Sequence, residues 1–255
     1  MMHKYAGPSG LSINVGIVGA RGYSGLELAR LLLAHPQAKL VACYATDPAS
    51  FSLGRDLFVE GAEGVPTLPM SSLDSETLAG DVHTVFLATP AEVSLELAPR
   101  LVAKGVNVVD LSGAFRLAAA EYPQWYGFTH SATAALAKAQ YGLVPFAKPF
   151  VKSGKEGVLV SNPGCYVTSV LMAVLPLVRE GVIDASTLVI DAKSGTTGAG
   201  KKASEPLLFS EVDGECLPYK VGAHQHFPEI TKYLEGFGGV KASPFFSTSL
   251  LATPR

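Results

Sequence analysis

Charge and cysteine are both scarce in this sequence. Only 16% of its 255 residues are charged and the net charge is −2, which excludes a general nucleic-acid or membrane-surface binder but leaves room for a local basic site. There are three cysteines, Cys43, Cys165 and Cys216. The count is odd and no CxxC pair occurs, so neither a disulfide framework nor a cysteine-rich metal site is expected. A reducing cytoplasm is the natural compartment. Long apolar runs are missing too, since none approaches the ~18 residues of a membrane-spanning helix. The opening stretch MMHKYAGPSGLS lacks the apolar core of a secretory signal, and no internal repeat or low-complexity tract occurs. What is abundant is apolar content, 48%, enough for a folded chain of one large or two modest domains.

The apolar residues are organised. Ile13 to Val18 reads as a buried strand, followed by a glycine turn and a helix that Pro36 ends. KLVACYA, DVHTVFLATP and VNVVDLS read as further strands, with the helical AEVSLELAPRLVAKG between the last two. GVLVSNPG is another strand, Cys165 to Val178 a helix, and TLVIDAKSG a later strand. Strands alternating with helices imply a parallel sheet covered on both faces. After Gly195 glycine, proline and short mixed segments dominate. The prediction is an α/β chain. A Rossmann-type parallel-sheet domain spans residues 1–160, and an α+β catalytic or substrate domain with its own sheet spans 161–255. The boundary falls near 155–162.

GARGYSG, between the first strand and helix, spaces Gly19, Gly22 and Gly25 by three. A dinucleotide pyrophosphate needs a tight turn, close backbone approach and free N–H groups at a helix N-terminus, and Gly19, Ala20, Arg21, Gly22, Tyr23, Ser24 and Gly25 can provide them. The spacing is GxxGxxG rather than GxGxxG, so the strand–turn–helix context carries the reading; the competing one is an ordinary turn. Asp47 lies where an acidic residue holds a ribose 2′-hydroxyl in NAD enzymes, but it precedes Pro48 and also fits a plain turn. Arg21 fits a 2′-phosphate instead.

In SNPGCY, Asn162 is a candidate N-cap and Pro163 suits the first helical position. Val167, Val170, Leu171, Val174, Leu175 and Val178 repeat at helical spacing. Cys165 therefore falls in the first turn of a core-anchored helix, where backbone N–H groups and the helix dipole favour a thiolate nucleophile. Most free cysteines are small core residues, and Cys43, inside a strand, fits that reading. Cys216, beside Glu215, has no evident activating neighbour.

A thiolate catalyst needs a proton carrier, and YKVGAHQHFPEI offers His224 and His226 at alternate positions, on one face of an extended segment. Pro228 would open a short helix with Glu229 placed to orient His226. The plainer reading is a polar loop with two surface histidines. No third ligand accompanies the pair, so no metal site is expected. SGTTGAGKK, after the strand TLVIDAK, offers backbone donors to an anion from Ser194 to Gly200, or else serves as a flexible hinge; its spacing is not that of a phosphate-binding GxxxxGK loop.

GARGYSG, VVDLSGAFRL, YPQWYGFTH, SNPGCY, DAKSGTTGAGKKA and FSEVDGECLPYKVGAHQHFPEI follow one another as they do in N-acetyl-γ-glutamyl-phosphate reductases. The chain resembles that family from Ile13 to about Ile230. The aspartate-semialdehyde dehydrogenases share the architecture and chemistry but not the combination of SNPGCY with HxHxPEI. The resemblance implies an NADP(H)-dependent cytoplasmic enzyme of arginine biosynthesis that takes a small acyl phosphate and forms a homo-oligomer, dimer or tetramer, with no nucleic-acid or membrane partner. It implies a thioester on Cys165, acid/base work by His224 and His226, and a supporting Glu229. It places Ser194, Gly195 and Gly198 near the nicotinamide, and Ser112, Arg116, Asn162, Lys201 and Tyr219 near substrate, with Arg116 suited to a phosphate or carboxylate.

The sequence also departs from the family. LSGAFR stands for LSADFR, which puts Ala114 at an acidic position, and YGLVPF stands for YGLPE. The turn after the second strand lacks the Ser/Arg cluster expected for NADPH, which leaves NAD open. Family members continue well past STSLLATPR, so exposed strand edges and apolar surface are expected here. Two other readings remain: a related reductase of aspartyl or aminoadipyl phosphate, and a shortened chain that binds nucleotide or a partner without turnover.

Overall fold

A computed structural model describes residues 12–254; the polar opening stretch up to residue 11 lies outside them. The chain divides into two compact units. Among the described residues, one is formed by residues 12–114, 137–140 and 149–161, the other by residues 115–136, 141–148 and 162–254. A single cut at residue 160 therefore differs from the contacts: residues 115–136 and 141–148 belong with the second unit, and Ser161 belongs with the first. The reason is local, because Arg116 bonds the Asn162 carbonyl and Tyr141 bonds Glu229.

The first unit begins with β1 (Ile13–Val18), α1 (Tyr23–Leu33) and β2 (Ala38–Ala45). It continues through β3 (Thr67–Pro69), β4 (Thr84–Leu87), α2 (Ala91–Ala103) and β5 (Asn107–Asp110). With β6 (Gln140–Tyr141) and β7 (Leu159–Ser161), these strands form a seven-stranded sheet ordered β3-β2-β1-β4-β5-β7-β6. The ladders β3–β2, β2–β1, β1–β4, β4–β5 and β5–β7 are parallel. The interior strand β1 is buried continuously from Val15 to Val18, as a strand covered on both faces should be, whereas β4 and β5 alternate, with Val85, Leu87 and Val108 buried between half-buried neighbours. The order reverses between β1 and β4, the switch point where such sheets bind ligands. A core of Ile17, Ala29, Leu32, Cys43 and Leu53 seats α1 on the sheet. Cys43 is fully buried there, and burial pushes its thiol up to about 12, as a core cysteine should behave.

The second unit is built on α3 (Cys165–Arg179) and α4 (His226–Gly238). Val167, Leu171 and Leu175 of α3 meet Ile230 and Leu234 of α4 in one core. Beside them lies a separate three-stranded sheet of β8 (Val189–Gly195), β9 (Cys216–Pro218) and β10 (Phe245–Leu251). β10 is central, parallel to β8 and antiparallel to β9. Among the described residues, no helix is long and apolar enough to cross a membrane.

Candidate active site

The glycine turn belongs to the first unit. Gly19 has φ +86, and a Cβ there would lie 2.4 Å from the Ala88 carbonyl oxygen at the end of β4. Only glycine holds that conformation so close to a neighbouring backbone. A Cβ on Gly25 would lie 2.3 Å from the Gly19 oxygen and 2.7 Å from Ala20 Cα, so Gly25 lets α1 start directly on the turn. Gly22 is the N-cap of α1 and supplies no side-chain cap. The helix terminus is thus left to backbone donors, and Arg21, Tyr23 and Ser24 are exposed around it. This arrangement at the switch point fits a dinucleotide pyrophosphate. Asp47 takes the plainer of its two readings: it is exposed and caps the short turn Pro48–Ser50 by accepting from Ala49 N at 3.2 Å.

Ser112, also in the first unit, donates its hydroxyl to buried Asp110 at 2.8 Å and accepts from Ala114 N at 3.1 Å. That is a local turn closed on its own carboxylate. A direct role toward substrate finds no separate support in this geometry.

The second unit holds Cys165 and its neighbours. Cys165 is the first residue of α3 and is exposed, while Tyr166 and Val167 behind it are buried. The cap differs from the sequence expectation. It is Gly164 (φ −65, ψ 156), not Asn162, which instead donates its side-chain amide to the Pro163 carbonyl at 3.3 Å. Pro163 sits one residue outside the helix, and the corner turns on the glycine.

The histidines are not surface residues. His224 is 6% exposed and His226 8%, and α4 begins at His226 rather than at Pro228. Their rings lie 4.7 Å apart, and His224 Nδ1 accepts from the His226 backbone N–H at 3.1 Å. Burial is the main force on both. It lowers His224 to about 4, with the Lys220 charge adding to the effect, and lowers His226 to about 3, with Arg116, His224 and Lys220 adding. Both imidazoles are therefore neutral at physiological pH. His226 presents its ring to Gly164: a Cβ on Gly164 would lie 2.3 Å from His226 Nε2. The residue next to Cys165 thus has no side chain because the imidazole occupies that space.

Glu229 does not orient His226. Its Oε1 accepts from Gly164 N at 3.1 Å and from the Tyr141 hydroxyl at 2.6 Å. His226 Nδ1 is buried with no hydrogen-bond partner among the described residues. The physical reason is helical. Positions i and i+3 share a face, so His226 and Glu229 both point at Gly164 rather than at each other. Glu229 is 0% exposed, and burial raises its pKa against the pull of Arg116, Tyr141 and the Gly164 amide.

Arg116 is 6% exposed and faces inward. Its Nε donates to the Asn162 carbonyl at 2.9 Å and one terminal nitrogen lies 3.7 Å from Glu229 Oε2. One carboxylate it meets is therefore the chain's own. Tyr219 shares a 2.8 Å hydrogen bond with Tyr166, and its hydroxyl is pushed up chiefly by burial, then by Tyr166, with a contribution from nearby Cys165.

The loop after β8 is not a loose hinge. Residues Thr196–Ala199 form a 3-10 turn, Thr196 N donates to the Thr253 carbonyl at 2.8 Å, and Thr197 donates its hydroxyl to the Pro254 carbonyl. Gly198 leaves room for the Ser194 hydroxyl, which a Cβ would approach to 2.7 Å. Ser194 is half-buried, Gly195 buried and Lys201 exposed. Sequence reasoning assigned no role to Tyr141, Gly164 or Tyr166. Gly164 had a signal in its place before the cysteine, whereas Tyr141 lies 88 residues from its partner Glu229 and had none.

Comparison with known proteins also divides the chain in two. Residues 14–161 match the family model of the semialdehyde dehydrogenase NAD binding domain, and residues 165–255 match that of the semialdehyde dehydrogenase dimerisation domain. The chain is 43% identical over 244 residues to N-acetyl-gamma-glutamyl-phosphate reductase of Geobacillus stearothermophilus, covering 95% of this chain and 69% of that protein. The Streptococcus mutans protein of the same name is 41% identical over 243 residues, with the same coverage. Among solved structures, aspartate semialdehyde dehydrogenase II of Vibrio cholerae superposes with a TM-score of 0.65 at 14% identity, over 95% of this chain and 71% of that one. The Candida albicans aspartate semialdehyde dehydrogenase with NADP does so at 0.61 and 16%, over 96% and 69%. The last two share the fold.

Proposed function

We propose, from the premise that the chain belongs to the N-acetyl-γ-glutamyl-phosphate reductase family of semialdehyde dehydrogenases, that Cys165 is the nucleophile of its reaction and His226 the proton carrier. The reaction is the NADPH-dependent reduction of N-acetyl-γ-glutamyl phosphate to N-acetylglutamate 5-semialdehyde and phosphate, in arginine biosynthesis. The observation that carries the assignment of roles is the His226 imidazole seated on Gly164, the residue before an exposed cysteine.

Neutral His226 takes the Cys165 proton. The sulfur attacks the acyl carbon, the bond from that carbon to the phosphate oxygen breaks, and the departing phosphate regains the proton from His226. A thioester remains on Cys165. The glycine turn from Gly19 to Gly25 would hold NADPH, which when bound would supply hydride to the thioester carbonyl. The carbon–sulfur bond then breaks, which frees the semialdehyde and restores the Cys165 thiolate. His224 keeps the His226 backbone in register through its Nδ1, and Tyr219, beside Cys165, is suited to a substrate oxygen. Ser194, Gly195 and Gly198, with Lys201 after them, remain assigned to the nicotinamide and substrate side on the family resemblance alone.

The chain carries a dimerisation domain, and assembly as a dimer or tetramer is part of the proposal. So is a cytoplasmic location, in keeping with three free thiols. The test is to supply N-acetylglutamate 5-semialdehyde, phosphate and NADP to the purified chain and follow reduced nicotinamide, with NAD and aspartate semialdehyde as comparators. Phosphate-dependent growth with NADP is expected. Cys165→Ser should lose about a thousandfold or more of that rate while binding nucleotide as before. Turnover near the parent level in that variant would remove the covalent route.

A further inference from the structure

We infer that Tyr141 and Glu229 form a positioning pair for the nucleophile, acting through the Gly164 amide to hold Cys165 in register with His226. The inference rests on the reading of Cys165 as nucleophile given above.

The chain around Pro163 is tied at both flanks. Arg116 Nε holds the Asn162 carbonyl at 2.9 Å, and Glu229 Oε1 holds the Gly164 N–H at 3.1 Å. Proline itself has no N–H to offer. The tethers come from segments remote in sequence, and they meet each other: Glu229 Oε2 lies 3.7 Å from the Arg116 guanidinium. Tyr141 completes the set by donating its hydroxyl to Glu229 Oε1 at 2.6 Å. Its ring lies flat on Tyr233 at 3.4 Å, one turn further along α4. The hydroxyl is therefore aimed by stacking.

An ordinary buried ion pair would explain Arg116 and Glu229 alone. It would not explain why Arg116 also holds the Asn162 carbonyl and Glu229 the Gly164 N–H, on the backbone just before Cys165. Nor would it explain the geometry of α4. One turn of this helix presents His226 to the Cα of Gly164 and Glu229 to its N–H. The same peptide is thus clamped by the group that moves the proton and by the group that fixes the plane. If the Glu229 bond loosens, the Gly164 peptide can rotate, and the sulfur shifts relative to the imidazole. A misplacement of about 1 Å costs on the order of a hundredfold in rate.

Tyr141→Phe in the full chain removes one hydroxyl and keeps the stacked ring. Three quantities are read: kcat and KM in the phosphate-dependent direction, nucleotide affinity, and alkylation of Cys165 by iodoacetamide mapped by mass spectrometry. Exposed Cys216 serves as internal reference. A positioning role predicts kcat reduced about tenfold to hundredfold, KM and nucleotide affinity within about twofold, and Cys165 alkylation slowed while that of Cys216 is unchanged. Glu229→Gln, which keeps an acceptor oxygen for Gly164, should retain more kcat than Glu229→Ala. Parent-level kcat in Tyr141→Phe, with Cys165→Ser inactive, would overturn the positioning role alone. A parallel change at Cys165 and Cys216 would reduce the pair to general stability and overturn it equally. An active Cys165→Ser would instead overturn the nucleophile assignment beneath it.

Discussion

The two helix starts that matter here are built alike and used differently. α1 begins after Gly22 (φ −70, ψ 164) and α3 after Gly164 (φ −65, ψ 156), and neither has a side-chain cap. In the first, crowding comes from the turn itself: the space beside Gly25 is taken by Gly19 and Ala20. In the second, the space beside Gly164 is taken by an imidazole 62 positions away in the chain. One glycine corner is therefore closed by its own backbone, whereas the other is closed by a remote side chain and stands next to the exposed Cys165. Binding needs only a local backbone conformation, while chemistry needs groups brought together from distant segments.

Gly164→Ala attacks the second corner at its tightest point. The added methyl would sit 2.3 Å from His226 Nε2, so the ring must move away from Cys165. A fall in kcat of about a hundredfold is expected, with nucleotide affinity unaltered; isothermal titration beside steady-state kinetics separates the two. If kcat is unchanged, the imidazole is not where the proton is needed.

Gly25→Ala makes the mirror experiment at the first corner. A Cβ 2.3 Å from the Gly19 oxygen forces the start of α1 away from the turn, and nucleotide affinity should drop about tenfold or more. Iodoacetamide alkylation of Cys165 should continue at the parent rate. A loss at both readouts would show that the two corners do not act independently.

A further effect concerns acid, and it touches stability rather than rate. His224 and His226 are held near 4 and 3 by burial, with Lys220 and Arg116 adding positive charge beside them. Their ordinary value is near 6.5. The unfolded chain therefore binds protons that the folded one refuses. Stability is fully present above about pH 6.5 and is lost as pH falls toward 3. Between pH 7.5 and 5 the loss should be about 2 kcal/mol for each histidine. Urea midpoints across that range measure it, and His226→Gln should flatten the slope by about half.

Where structure follows contiguous pattern, the sequence sufficed. β1 spans Ile13–Val18 as its apolar run predicts, and α3 begins at the cysteine. Two readings failed for the same physical reason. Asn162 looked like a cap because its side chain suits one, yet its carbonyl is held by Arg116 46 residues away. Glu229 looked like a partner for His226 because three residues separate them, but a shared helical face sends both toward a third group. Tyr141 bears no local mark at all, since its role exists only once residues 141 and 229 have been brought together.

The strand order of the second unit also sets a timetable. β10 lies between β8 and β9, although it follows both in the chain. During synthesis β8 and β9 must wait, unpaired, until residues 245–251 have been made. The first unit's strands β1 to β5 are all complete by residue 110. Domains generally fold as they emerge, so the first unit can be assembled while the second still has open edges.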